Sequence, residues 1–355
     1  MIFFTILFSC KKQSLNLETS FFKDLVTPKT YVVYKTDKPL TIDGIDDEDI
    51  WKNTKYTSNF IDIEGIKTPK QVTKVKMLWD DEYLYIYAKL FEEHIWADIT
   101  ERDQVIFLNN DFEVFINPSN DVYNYGEIEI NALETVWDLL LDKPYSLGGK
   151  PKNEWNLEEL KAKVFIEGTL NNAKDIDTFW SVEMAIPLKS FVALKNLPRA
   201  KIKDGEQWRI NFSRVNWDFD LINNTYARKK RDNKYLPEYN WVWSNQGEIN
   251  MHLPEKWGYI QFSKNTPKNA IQFKHKTDVL TEQIIYTLFR SILYKDLQYL
   301  KNKKVGTITV FEPIKIENKI INVTFLKTFS GFNLKVTTEN STYTINESGF
   351  LKKDQ

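Results

Sequence analysis

The chain is poor in the residues that build redox and metal chemistry. Of its 355 residues one is cysteine, Cys10, and three are histidine, His94, His252 and His275. A single cysteine excludes an internal disulfide framework. The histidines stand too far apart for a metal-ligand motif. No stretch past the N-terminus approaches the ~20 apolar residues that cross a bilayer as a helix. Charge of either sign is also missing in excess. The 48 basic and 49 acidic residues leave a formal net charge of −1, so no field points toward nucleic acid. No glycine-rich phosphate loop and no Ser-His-Asp order is present, and no cofactor is expected.

Aromatic residues are plentiful. They make up 14% of the chain, and all 11 tryptophans lie between Trp51 and Trp257. Alternating strings dominate this part, as in Val75, Met77 and Trp79, then Leu84, Ile86, Ala88 and Leu90 after a turn at Asp80-Asp81-Glu82. Such alternation reads as half-buried strands. Further short strands are expected at 112–117, 127–132, 135–140, 162–168, 179–186, 207–216 and 257–262, with Gly, Pro, Asn and Asp turns between them. The fold class is mainly β, an antiparallel β-sandwich of jelly-roll type spanning residues 31–264. After Lys264 the pattern changes. Apolar residues at Leu280, Ile284, Leu288, Ile292 and Leu293 predict an amphipathic helix, followed by antiparallel strands, so that 265–355 forms a small α+β appendage. Residues 13–30 are polar and aperiodic and read as a tether. The acidic run Asp43–Asp49 reads as a helix start, with a structural calcium ion as the less favoured reading of its dense oxygen ligands.

Strand parity sorts the polar residues. With Phe112, Val114 and Ile116 inward, Glu113 points outward. Likewise Glu127, Glu129 and Asn131 oppose the inward Ile128 and Ile130, and Arg209, Asn211 and Ser213 oppose Trp208, Ile210 and Phe212. Three strands thus offer a polar face of carboxylates, amides and a guanidinium. With an aromatic platform, that combination suits a carbohydrate, whose hydroxyls take directional hydrogen bonds while its flat C–H face stacks on a ring. Trp79, Trp180 and Trp208 have core parity. Trp96, Trp137, Trp217, Trp241 and Trp243 remain as platform candidates. The ligand-binding set is therefore Trp96, Arg102, Glu113, Glu129, Asn131, Arg209, Asn211 and Trp217. A glycosidase pair built from Glu113 and Glu129 would need roughly 5–9 Å between its carboxyls, and no nucleophile or acid signature accompanies it.

Several ordered motifs resemble one family. They are Asp43-Gly44-Ile45-Asp46 with Trp51, Leu78-Trp79-Asp80-Asp81-Glu82-Tyr83-Leu84-Tyr85, Asn110-Asp111-Phe112-Glu113-Val114-Phe115-Ile116-Asn117-Pro118, Glu127-Ile128-Glu129-Ile130-Asn131, Trp180-Ser181-Val182-Glu183-Met184, Trp208-Arg209-Ile210-Asn211-Phe212 and Pro254-Glu255-Lys256-Trp257-Gly258. In order and spacing they look like a family 9 carbohydrate-binding module. The resemblance implies a DOMON-like sandwich that binds sugars on its concave face. Two tryptophans grip a terminal sugar in the xylanase-attached members, and those positions fall here on Phe107 and Met251. Glu113 and Asn131 match polar ligand positions, and Glu129 stands where an arginine is expected.

The N-terminus adds a location. Residues 1–9 are almost wholly apolar, and Leu7-Phe8-Ser9-Cys10 is followed by Lys11-Lys12. This resembles a bacterial lipobox, in which a signal segment is cleaved before a cysteine that then carries lipid. The expectation is a lipid-anchored protein of the bacterial cell envelope, like the stand-alone lipoprotein branch of the family in Bacteroidetes-like bacteria. It would bind oligosaccharide or polysaccharide without catalysis and support polysaccharide capture or catabolism. The competing readings are a glycoside hydrolase, an accessory subunit of one, or a structural envelope protein.

Overall fold

A computed structural model describes residues 15–23, 25–195 and 201–354; Cys10 lies outside them. The chain forms two compact units, one comprising Pro28–Lys274 and the other the described residues on either side of it.

The larger unit is a 13-stranded sheet. Its long strands are β1 (Thr30–Lys35), β2 (Thr73–Trp79), β3 (Tyr83–Phe91), β4 (Asp111–Asn117), β5 (Tyr125–Asn131), β6 (Val136–Leu141), β7 (Lys161–Glu167), β8 (Phe179–Pro187), β9 (Gln207–Asn216), β10 (Tyr239–Val242) and β11 (Gly258–Ser263). From one edge the order is Pro151–Lys152, β6, β5, β4, β9, β11, β1, β2, β3, β8, β7, with β10 joined to β9 and to Ile61–Asp62. The sheet curls so that its two halves share one core. Met77, Trp79, Leu84, Ile86 and Trp180 from one half meet Phe112, Val114, Ile128, Trp208 and Phe212 from the other. These are the residues that alternation places inward. Burying each large apolar side chain contributes on the order of 1.5–3 kcal/mol.

One pairing departs from the sequence reading. β1 runs parallel to both β11 and β2, so the sandwich is not wholly antiparallel. β1 and β11 are the first and last long strands of the unit, and a connection that spans the whole unit permits the parallel arrangement that a hairpin forbids.

The Asp43-Gly44 turn is pinned from the outside of β8. Glu183 accepts hydrogen bonds from the amides of Asp43 (3.0 Å) and Gly44 (3.1 Å) and from Trp51 Nε1 (3.0 Å). Gly44 sits at φ +88, and a Cβ there would come within 2.7 Å of the Phe165 backbone nitrogen. The helix that follows is one short turn, Asp49–Asn53, with no side-chain cap from Glu48.

In the smaller unit the helix spans Val279–Tyr294 and starts at Asp278, whose carboxylate accepts from the Thr281 amide, as an N-cap does. Its sheet is six-stranded and antiparallel, running through Ile308–Val310, Lys319–Lys327, Phe332–Thr337, Thr342–Asn346 and Leu351–Asp354, with Ile314–Ile316 beside Lys319–Lys327. The described residues 15–23 and 25–27 join this unit rather than forming a free tether. Leu17 and Phe22 are buried, and Leu15 bridges Phe311. Two buried apolar side chains suffice to hold a polar segment, and periodicity could not show them.

Candidate functional site

The outer face of β4, β5, β6 and β9 carries the polar cluster. Antiparallel register lines up Ser213, Glu113, Glu129 and Trp137 in one row across four strands, with Glu127 beside Phe115 and Leu139 in the next. A pocket of about 290 Å³ opens over them, and Phe107, Tyr145, Met251 and His252 complete its wall. This volume sits at the lower end of small-ligand pockets. Among the described lining residues none is Lys or Arg.

The carboxylates are buried, with Asp111 0%, Glu113 5%, Glu127 5% and Glu129 2% exposed. Burial pushes Glu113 up to about 7, with Glu238 adding repulsion. Burial also raises Asp111, Glu127 and Glu129 well above the usual carboxylate range, and Glu113 repels all three. One oxygen each from Asp111, Glu113 and Glu129 lie within 4.8 Å of one another. Glu129 is anchored by the Phe107 amide at 2.9 Å. His252 is pushed down to about 4 by burial, and its Nδ1 lies 3.0 Å from the Tyr125 hydroxyl. It is neutral at physiological pH and offers the carboxylates no compensating charge.

Trp137 is the indole of this pocket. Nine of the tryptophans are buried, and only Trp137 and Trp155 stay partly exposed. Trp155 packs edge-on against Phe191. Trp137 lines the pocket, and its Nε1 has no hydrogen-bond partner among the described residues.

The other sequence candidates lie elsewhere. Asn131 gives its amide to the local turn, donating to Ile99 O at 2.8 Å and accepting from the Leu133 and Thr135 amides. Arg209 donates to Glu255 O at 3.0 Å, and Asn211 exchanges hydrogen bonds with the Ser244 backbone at 2.8 and 2.9 Å. The segment 244–257 therefore roofs this part of the polar face. Arg102 pairs with Asp138 outside the pocket. Trp96 is 3% exposed and stacks on Tyr226. Trp217 donates through Nε1 to Phe107 O, under the guanidinium of Arg228. It edges a second cavity of about 300 Å³ with Tyr239 and Trp241. Of the described lining residues only Glu113 and Glu129 belong to the sequence-derived set; among the polar and aromatic ones it missed are Glu127, Trp137, Tyr145, Glu238 and His252. Of these, Glu127 carried the signal of the parity it shares with Glu129, and Trp137 stood among the platform candidates.

The acidic run 43–49 does not gather around one point. Asp46 pairs with Lys76 at 2.6 Å, and Asp43 accepts from the Ile45 amide. Among the described residues, the carboxylates close enough to share one ion are those of Asp111, Glu113 and Glu129.

Residues 42–263 match the family described as carbohydrate family 9 binding domain-like. The chain belongs to that family. Phe107 and Met251, which stand where the xylanase-attached members carry a pair of tryptophans, both line the pocket of this family 9-like module, so that tryptophan pair is not reproduced. The chain is also 33% identical over 130 residues to endo-1,4-beta-xylanase A of Thermoanaerobacterium saccharolyticum, covering 35% of this chain and only 10% of that relative. A family 9 carbohydrate-binding module from Caldicellulosiruptor kristjanssonii, solved in complex with cellotriose, aligns over 70% of this chain and 100% of its own, at 15% identity and a TM-score of 0.43. The same module in complex with glucose covers 68% of this chain and 100% of its own, at the same identity and TM-score.

Proposed function

We propose that this family 9-like chain is a non-catalytic carbohydrate-binding protein that takes an oligosaccharide or a polysaccharide end in the Trp137 pocket. The observation that carries the reading is the pairing of Trp137 with the carboxylate row. One partly exposed indole, its N–H unpartnered, stands directly across from Glu129. A sugar ring stacked on Trp137 would offer hydroxyls to Glu113, Glu127 and Glu129, which in either protonation state can take part in hydrogen bonds. Affinity would be moderate, as for a ligand that stays partly wet.

No nucleophile or acid signature accompanies Glu113 and Glu129 in the sequence, which favours binding over hydrolysis. The Cys10 motif supports anchoring at the bacterial envelope, where such a protein would capture polysaccharide for uptake.

A glycan array probed with the purified chain tests the reading, backed by a reducing-sugar assay. The expected result is binding to a discrete set of plant, algal or host glycans without sugar release. Silence across the array would contradict it, and sugar release would turn it toward a hydrolase.

A further inference from the structure

We propose that Asp111, Glu113 and Glu129 form a binding site for a hard divalent cation of the calcium class at the Trp137 pocket, with Glu113 and Glu129 from its lining and Asp111 buried next to them. The site concerns the same pocket but does not depend on a glycan being its ligand.

Three observations meet here. First, the three side chains can each place one oxygen within 4.8 Å of the others. Oxygens that share a calcium ion at 2.3–2.6 Å lie at most about 5 Å apart, so the set can share one ion; magnesium demands near-octahedral geometry and gives up its waters reluctantly, which makes it the poorer fit for three carboxylates. The set is all oxygen, so zinc and copper, which favour nitrogen and sulfur, are the poorer fit. Second, the charge is uncompensated. Glu113, Glu127 and Glu129 are at least nine-tenths buried in a pocket whose described lining contains no Lys or Arg, and the fully buried Asp111 lies next to them. Buried charge of one sign is tolerated only when paired, protonated or bound to metal. Third, oxygens stand without partners. Asp111 Oδ2 and, outside the triad, Glu127 Oε2 are both buried and make no hydrogen bond among the described residues. Glu127 lines the same pocket. A cation there would satisfy the triad and relieve the repulsion on Glu127. Coordination positions the protein leaves unfilled would face the pocket.

The experiment uses the full chain after chelator treatment, with no glycan present. Calcium chloride is titrated by calorimetry, with magnesium chloride in parallel, and thermal unfolding is followed with and without calcium. The expected result is one calcium per chain, weaker magnesium binding, and a midpoint raised by roughly 5 °C at saturating calcium. Glu129→Gln and Asp111→Asn should each weaken calcium binding at least tenfold and remove the shift. Without calcium they should unfold at or above the wild-type midpoint, because each removes a repelling charge. Asp47→Asn, in the acidic run 43–49, should change nothing. Absence of calcium heat in the wild type would overturn the proposal, whatever the variants do. So would a shift that survives both pocket variants or vanishes with Asp47→Asn. Because no sugar is used, either result leaves the glycan reading to its own test.

Discussion

Glu113 and Glu129 stand directly opposite one another on adjacent antiparallel strands, both buried and with no basic side chain between them. Like charges in that relation destabilise a sheet, so the pair is a cost that the fold carries for the sake of its pocket. Glu183, on β8, is a buried carboxyl with three N–H donors closing around it, although burial still pushes it up to about 7.

The first consequence is a pH dependence. Carboxyls raised in the folded state hold protons that the unfolded chain has already lost. Their contribution is therefore complete below about pH 4.5 and is lost as pH rises toward 7, the value to which Glu113 is pushed. His252, lowered to about 4, works the other way. Its contribution is present above about 6.5 and is lost on acidification toward 4. Four raised carboxyls outweigh one histidine, so stability in chelator should fall between pH 5 and 7.5. Urea unfolding across that range measures it, and Glu113→Gln should flatten the slope.

Arg214 and Glu92 form a buried ion pair at 2.9 Å inside the sandwich, and Glu92 also accepts from Trp180 Nε1 and Asn110. Removing one partner strands the other charge. Glu92→Ala should cost about 3–5 kcal/mol, read as a lowered denaturation midpoint.

Trp96 and Trp217 are packing residues in this structure. Trp96→Ala and Trp217→Ala should each cost roughly 3–5 kcal/mol of stability. The protein that remains folded should bind glycan with unchanged affinity, which calorimetry corrected for folded fraction would show.

Asn131→Ala makes the same distinction for a polar residue. It removes the acceptor of the Leu133 and Thr135 amides, so a loss of about 1–3 kcal/mol is expected. Glycan affinity should not move.

These cases show what the sequence could carry. Parity put Glu113, Glu127 and Glu129 on the outer face and Trp79, Trp180 and Trp208 inside, because a strand has only two faces and the apolar one is obvious. It could not tell which part of the outer face stays open. The segment 244–257 covers Arg209 and Asn211, and the turn at 131–135 consumes Asn131. Both coverings are set by loops without periodicity. His252 and Tyr145 reach the pocket from such loops, so no local pattern announces them. Trp217 keeps the parity of Ser213 and packs with Val215 and Phe107, but its indole is buried beside the pocket instead of lining it. The tether reading failed for a similar reason, since Leu17 and Phe22 are too few to make a pattern.

The central claim is that Trp137 and the carboxylates across from it hold a sugar. Its most direct test is a calorimetric titration of an array-positive glycan into the wild-type chain and into Trp137→Ala, with both folds checked by thermal unfolding. The expected result is at least a tenfold loss of affinity in the variant, with its unfolding midpoint within a few degrees of wild type. Equal affinity in the two proteins would contradict it.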